Sequence, residues 1–440
     1  MPQHVMAVVA YDSQLKWALG LVDEFRRRGW TSSVAVPTDV RSALSDEQVL
    51  AHGAVELERM PWREILLTAR RADCVVLAVQ GPLVERFTDE MELLRRQPPA
   101  RGHEPVIVAG WVGIIIEKII AGYLDRCAAD LVAVNSADNL REFAEAGSLL
   151  GLPPDNLLLS GLPLLPAEPA PAGTGPVRAV LFADQPTIPG PASDRAYIYQ
   201  RLAEYATAHP DREVLLRPRH RPGEGTFHVM RHHPETVLAR LPELPPNFRI
   251  TYEPITHLLQ RIDLMLTVSS TAGLEAVGHG VRTAFIGDLG IHEKHGNHVL
   301  LRSGLVATFD DITADRLPHP RQDWLDDIFV RGDGRRPVER IADRVDELAA
   351  IDPASRPAAA LARSPYVSGR IAVREHRRLM PAAAQTAAKP ADGHGGNALT
   401  RGLSRARADL RRRAALGAQA VLPRSWADRL QQYRRARAGR

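Results

Sequence analysis

Four side chains sit where a phosphate and a sugar diol could be held side by side. Residues 264–268 form an apolar run that ends in Ser269, Ser270 and Thr271. A helical pattern follows as far as Gly280, then a second apolar run over 283–286. That is strand, helix, strand within about the 30 residues a βαβ unit needs. The three hydroxyl residues fall at the helix start, where side-chain oxygens cap free amides and the helix carries partial positive charge, a ready anion site. Glu275 lies one turn after Thr271, on the same face. A phosphate at the helix end and a diol at Glu275 describe a nucleotide. A capped helix with a solvated glutamate accounts for the same residues.

A second basic point lies nearby in the pattern. The strand expected over 213–216 exits into Arg217-Pro218-Arg219-His220-Arg221, and the strand over 179–182 exits into a loop containing Gln185. Arginine grips phosphate in a bidentate manner, and His220 can donate as imidazolium. Two adjacent phosphate sites suit a nucleotide-sugar; a solvated turn is the alternative. His292-Glu293-Lys294-His295 is one residue short of H-E-x-x-H, so its histidines do not share a helical face. His298 falls beside it, and His228 and His232 have i, i+4 spacing on what reads as an exposed helix. None of these makes a metal site in this reading.

The elements that position these residues alternate. In the first half, strands are expected over 5–10, 33–36, 74–79, 106–112 and 131–134. Helices are expected over 15–28, 61–72, 85–96, 117–128 and 139–150. Asn135-Ser136 caps the last of these helices. Three loops at strand carboxyl ends carry polar groups: Asp12-Ser13 with Lys16, Gln80-Gly81, and Gly110-Trp111. After the Pro-rich linker 166–176 the pattern restarts, with a helix over 197–208, short elements at 250–252 and 255–261, and helices over 338–348 and 367–379. The fold class is α/β, two Rossmann-like doubly wound domains facing a cleft. The domains are expected at 1–165 and 177–350, with a closing helix in 351–380 and a low-complexity linker and basic tail over 381–440.

Several chemistries drop out. No G-x-G-x-x-G follows the first strand, no Gly-Lys pair exists for a P-loop, no G-x-S-x-G elbow occurs, and no two aspartates are spaced D-x-D. The 440 residues include 2 cysteines, Cys74 and Cys127, which excludes a disulfide scaffold and a cysteine zinc cage and suits a reducing compartment. The N-terminus lacks a signal-peptide pattern, and the longest apolar run, 106–116, is too short to span a bilayer.

The net charge of +4 conceals a division. Residues 401–440 hold twelve arginines against two aspartates, a charge of +10 that leaves −6 for residues 1–400. A mildly acidic body argues against a specific nucleic-acid partner. In the tail, Leu403, Ala406, Leu410, Ala414, Gly417 and Val421 recur at helical spacing beside Arg407, Arg411 and Arg413; Trp426, Leu430 and Tyr433 follow Pro423. Basic flanks on an apolar stripe describe a helix lying on an anionic membrane surface. The expected location is cytoplasmic, peripheral on the inner face of the cytoplasmic membrane.

The layout resembles a GT-B glycosyltransferase. Asn135-Ser136 with Gly161-Leu162-Pro163 is similar to the end of the first GT-B domain. Ser269-Ser270-Thr271-Ala272-Gly273-Leu274-Glu275-Ala276 resembles the donor-site motif of capsule-polysaccharide and sialyl- or Kdo-type transferases. The preceding motif of those enzymes contains His-Pro, where this chain has Arg217-Pro218-Arg219-His220. Asp12-Ser13 with Leu15-Lys16-Trp17 also resembles an uncharacterised glycosyltransferase family of high-GC bacteria.

The resemblance implies sugar transfer from a nucleotide-sugar co-substrate, with no other cofactor and no metal, to a cell-envelope glycan or lipid-linked acceptor. It implies that Gln185, Arg217, Arg219, Ser269, Ser270 and Thr271 face the donor phosphates and that Glu275 takes the ribose. His220 would help neutralise the leaving group. Asp12, or failing that Glu117, would deprotonate the acceptor; Asp12 could equally cap its helix. Ser13, Lys16 and Trp111 fall on the acceptor side. A sugar-nucleotide 2-epimerase, a polyol-phosphate transferase and a non-catalytic membrane-tethered scaffold fit the same architecture.

Overall fold

The computed structural model describes residues 2–40, 44–51, 56–96, 104–222, 224, 230–241 and 243–379. The chain forms two compact units, Met1–Arg374 and Glu375–Arg440; of the second, only residues 375–379 are described, as the end of the helix Pro365–Leu379.

Unit one contains two parallel sheets. The first comprises β1 (His4–Val9), β2 (Thr31–Pro37), β3 (Glu58–Met60), β4 (Cys74–Ala78), β5 (Val106–Gly110), β6 (Leu131–Val134) and β7 (Leu157–Leu159). Its spatial order is β3-β2-β1-β4-β5-β6-β7. The second comprises β8 (Ala179–Ala183), β9 (Glu213–Arg217), β10 (Phe248–Ile250), β11 (Leu264–Thr267), β12 (Arg282–Ile286) and β13 (Val306–Ala307), in the order β10-β9-β8-β11-β12-β13. The central strands β4, β5, β6, β8 and β11 are buried along their whole length, as strands covered on both faces must be. Each sheet reverses its winding once, between β1 and β4 and between β8 and β11. Ligands of such sheets bind beyond the strand ends at that reversal.

The strand and helix pattern expected from the sequence is present, with informative departures. The helix expected over 117–128 is confined to Ile119–Leu124, after Lys118 in a left-handed conformation (φ 53°). The loop before it is held to the second half by Ile114 N, which donates to Thr271 Oγ1, and to the first half by Asn135, which donates to Gly113 O, so tertiary contact overrides local helical period. Helix Ala192–Ala208 begins earlier than expected because its first turn is polar and carries no apolar stripe, and helix Gly81–Arg95 does so because it opens on Gly81 and Pro82, residues that read as a loop but are tolerated in a first turn. Strands β3 and β7 are too short to show a period.

After the second sheet the chain returns to the first. Helix Pro337–Ala349 buries Val338, Ile341, Ala342, Val345 and Leu348 in the core beneath helix Asp12–Arg27. Arg28 ties the two helices together, with Nε 2.9 Å from Glu24 Oε1, Nη2 2.8 Å from Asp343 Oδ1 and Nη1 2.7 Å from Asp346 Oδ2. Helix Pro365–Leu379 buries Val367 and Ile371 against the opposite face of the first sheet. There Arg370 and Arg374 both grip Asp89, which is fully buried, at 2.8 Å. The residues expected to finish the second domain thus pack on the first.

The Pro-rich linker is fastened to the second half. Ala170 N donates to Gly278 O at 3.0 Å and Gly173 N to Gly280 O at 2.9 Å. Gly280 has φ +73°, and a Cβ there would meet Pro171 O at 2.5 Å, so both conformation and space require glycine. Among the described residues, no helix is long and apolar enough to cross a membrane. The basic tail and His228 lie outside the described residues.

Candidate functional site

The two winding reversals face one cleft of about 370 Å³. From the first sheet it is lined by Tyr11, Asp12 and Ser13 beyond β1, by Lys16, and by Gln80 beyond β4. From the second it is lined by Asp184, Gln185 and Pro186 beyond β8, by Arg217 and Arg219 beyond β9, and by Ser270, Thr271 and Glu275 beyond β11.

The phosphate-like corner is built on helix Thr271–Gly278. Ser270 is its N-cap, with Oγ accepting from Ala272 N at 3.3 Å. Ser269 has a different task. It is buried, its N–H donates to Gln185 Oε1 at 2.9 Å, and its hydroxyl donates to His295 O at 2.6 Å. Gln185 Nε2 donates back to Ser269 Oγ at 3.2 Å. Ser269 therefore pins three loops together and does not line the cleft.

Gln185 is fixed in turn by a network the sequence did not disclose. Arg195 is fully buried and donates to both oxygens of Asp184, at 3.0 and 2.9 Å. It also donates to Gln185 O at 2.6 Å and Pro186 O at 2.8 Å. Tyr199 OH donates to Asp184 Oδ2 at 2.7 Å. Burial pushes the Asp184 carboxyl up to about 6, while Arg195, Tyr199 and the Gln185 amide pull the other way. The one available signal was Asp184 at a strand exit; Arg195 stands eleven residues later, and only the fold brings it back.

The basic side is held by β9. Arg217 is half-buried, with Nε donating to Glu253 O at 2.8 Å, and Arg219 is exposed. Burial and the neighbouring Arg219 lower the Arg217 pKa, whereas Asp12 and Glu275 raise it. His220 is buried behind this loop. Its Nδ1 lies 3.1 Å from Arg221 O, its Nε2 has no hydrogen-bond partner among the described residues, and it does not line the cleft.

Across the cleft, Asp12 and Ser13 open helix Asp12–Arg27. Tyr11, not Asp12, occupies the cap position. Lys16, expected on the acceptor side, instead meets the donor-side carboxylate, with Nζ 2.6 Å from Glu275 Oε2. Thr271 is also engaged from the first half, since Ile114 N donates to its Oγ1 at 3.2 Å. A Cβ on Gly113 would come within 2.5 Å of that oxygen, so glycine permits the close approach. Like Ser269 and His220, two more expected residues lie off the cleft wall. Glu117 is exposed and outside the cleft wall. Trp111 stacks on Phe143 with centroids 4.9 Å apart and carries the Arg126 guanidinium 4.5 Å over its ring, a packing role.

Beyond the loop bearing Gly113 and Ile114 lies a second cavity of about 260 Å³, with Ile114, Ile119, Leu274, Val299 and Trp324 among its walls. His298 borders it. Among the described residues, no cluster of three or more His, Cys, Asp or Glu side chains could hold a metal ion. His292 caps the short 3-10 helix Glu293–His295 by accepting from Lys294 N at 3.1 Å. His295 is buried, and burial lowers its pKa.

Comparison with known proteins follows from this geometry. A family model described as "Putative glycosyltransferase (DUF6716)" matches residues 5–348. No curated protein matches the chain. Among solved structures, it is similar to one described as a "putative UDP-N-acetylglucosamine 2-epimerase from Listeria monocytogenes": TM-score 0.50, 13% identity, 79% of this chain and 96% of that one. The S. aureus MnaA–UDP co-structure gives TM-score 0.50 and 10% identity, over 78% and 96%. MurG of Acinetobacter baumannii gives 0.45 and 11%, over 79% and 100%. At such identities these likenesses speak of the fold alone, whereas the family model spans most of the chain. The chain therefore belongs to the DUF6716 glycosyltransferase family, and it is an enzyme of GT-B fold.

Proposed function

We propose that the enzyme moves a sugar from a nucleotide-sugar to a hydroxyl of a cell-envelope glycan or lipid-linked acceptor, without a metal ion. One observation carries this reading. Asp12, from the first sheet, shares a cleft with Arg217, Arg219 and the Ser270 and Thr271 helix end from the second. The acceptor oxygen attacks the anomeric carbon, the bond from that carbon to the donor phosphate breaks, and the nucleotide leaves with the electron pair. The two arginines and the helix amides stabilise that developing charge, preorganised around its position. Asp12 takes the acceptor proton, and Ser13 stands beside it on the acceptor side. Glu275 accepts from the ribose diol.

Asp12 is preferred to Glu117 as the base because it lines the cleft. The test is turnover of Asp12→Asn with the native donor. A loss of about 10²–10⁴ with intact nucleotide affinity is expected; unchanged turnover removes Asp12 from the role. The basic tail would bring the enzyme to an anionic membrane surface, where lipid-linked acceptors reside. An epimerase of the same fold would turn over free sugar nucleotide with no acceptor present, so product analysis separates the two.

A further inference from the structure

We propose that Lys16 is a ligand of the donor phosphate, kept in reserve by Glu275 and released when the ribose diol binds. The inference rests on reading the cleft as a nucleotide-sugar site. Glu275 stands one turn from the start of helix Thr271–Gly278, and Lys16 one turn from the start of helix Asp12–Arg27. The helices come from opposite halves, and both side chains line the cleft, Nζ 2.6 Å from Oε2. The Glu275 side chain is 11% exposed and that of Lys16 26%, so Lys16 is the more exposed partner.

A phosphate at Ser270 and Thr271 places the rest of a nucleotide along the same helix, beside Glu275. A ribose diol offers two donors, one for each oxygen of a carboxylate, and one of the two Glu275 oxygens is now held by Lys16. An ammonium has three donors and no acceptor, so once displaced it requires another anion. Lys16 lines the same cleft as Ser270 and Thr271, and its four-carbon stem is flexible. In the ligand-free cleft the Lys16 and Glu275 charges cancel. After the exchange, Lys16 joins Arg217 and Arg219 around the leaving group. The exchange also makes the cleft discriminate. A nucleoside must break an ion pair and leave Lys16 without an anion, whereas the nucleotide supplies one.

The test uses the full chain and calorimetric titration. Wild type, Lys16→Met, Lys16→Arg and Glu275→Gln are titrated with UDP, CDP, GDP and CMP, and with the matching nucleosides. For the nucleotide that binds, Lys16→Met is expected to weaken affinity about tenfold, the size of one charge-assisted bond. The same variant is expected to tighten the matching nucleoside, because Glu275 is no longer occupied. Lys16→Arg keeps the charge and stays within about threefold of wild type for the nucleotide. Glu275→Gln weakens both ligands. If Lys16→Met shifts nucleotide and nucleoside in the same direction, or shifts neither, the exchange is overturned. If the 2′,3′-dideoxy nucleotide binds wild type as tightly as the ribonucleotide, Glu275 does not take the diol; the exchange fails while the donor site stands. If none of the four nucleotides binds wild type, the donor-site reading itself falls, and the proposal with it.

Discussion

Lys16 and Glu275 form an ion pair across the cleft, Nζ to Oε2 at 2.6 Å, although 259 positions separate them in the chain. The pair joins a helix under the first sheet to the helix that bears the anion-binding end. A double-mutant cycle with Lys16→Ala and Glu275→Ala, read by denaturant unfolding, should give a coupling of about 1 kcal/mol, since both groups keep some contact with water. A coupling of zero would mean that the contact does not persist in solution.

Ser270→Ala and Arg219→Ala should each weaken nucleotide binding by about 1.5–3 kcal/mol, the worth of a hydrogen bond to a charged group. Both side chains line the cleft, and Arg219 is exposed, so the melting temperature of Arg219→Ala should stay close to wild type. Calorimetric titration beside a thermal melt checks both halves of this expectation.

Asp184→Ala should be far more damaging to the fold. It leaves the Arg195 guanidinium, fully buried, without its carboxylate, a loss of about 3–5 kcal/mol. An apolar pair, Asp184→Leu with Arg195→Met, should recover much of that stability but not nucleotide affinity, because the Gln185 backbone then loses its bonds to Asp184 and Arg195 and keeps only the side-chain contact with Ser269. Equal affinity in the apolar pair and wild type would show that the loop needs no such support.

Asp89→Ala should cost about 3 kcal/mol by taking the buried carboxylate that Arg370 and Arg374 share and leaving them Glu85 as acidic partner, and should loosen helix Pro365–Leu379 on the first sheet. Limited proteolysis near residue 365 is the direct measurement. A cleavage pattern identical to wild type would place the anchoring in Val367 and Ile371 instead.

Deleting residues 381–440 should abolish co-sedimentation with anionic liposomes at low salt while leaving nucleotide binding intact. Each arginine near such a surface contributes about 1 kcal/mol, screened by salt. Sedimentation that does not depend on the tail would refute its membrane role.

The sequence made the two-sheet architecture legible because buried parallel strands are written as continuous apolar runs, as at Leu131–Val134. It also disclosed the cap at Ser270, whose partner Ala272 is local. The contact of Lys16 with Glu275, the clamp of Arg195 on Asp184 and the docking of Ile114 on Thr271 were not legible. Each joins residues whose proximity arises only after the sheets are wound. Ser269 shows the limit most clearly. Its type and spacing were those of a phosphate ligand, yet its hydroxyl is spent on His295 O, a residue of a loop with no regular period.

The return of helix Pro337–Ala349 to the first sheet means that the polypeptide passes between the halves twice, once through the linker after Leu165 and again after Phe329. The second passage contains Val330, Gly332 and Gly334, all with positive φ. It is clamped where Arg340 donates to Val330 O at 2.7 Å and to Ser160 O at 3.1 Å. Two crossings of the chain thus tie the halves together, where a single linker would leave one connection. The first half is therefore not a contiguous piece of gene, whereas the second is. A fragment ending at 165 would expose the face that Val338, Ile341 and Val345 cover, so the first half can be made alone only by splicing residues 337–374 back onto it.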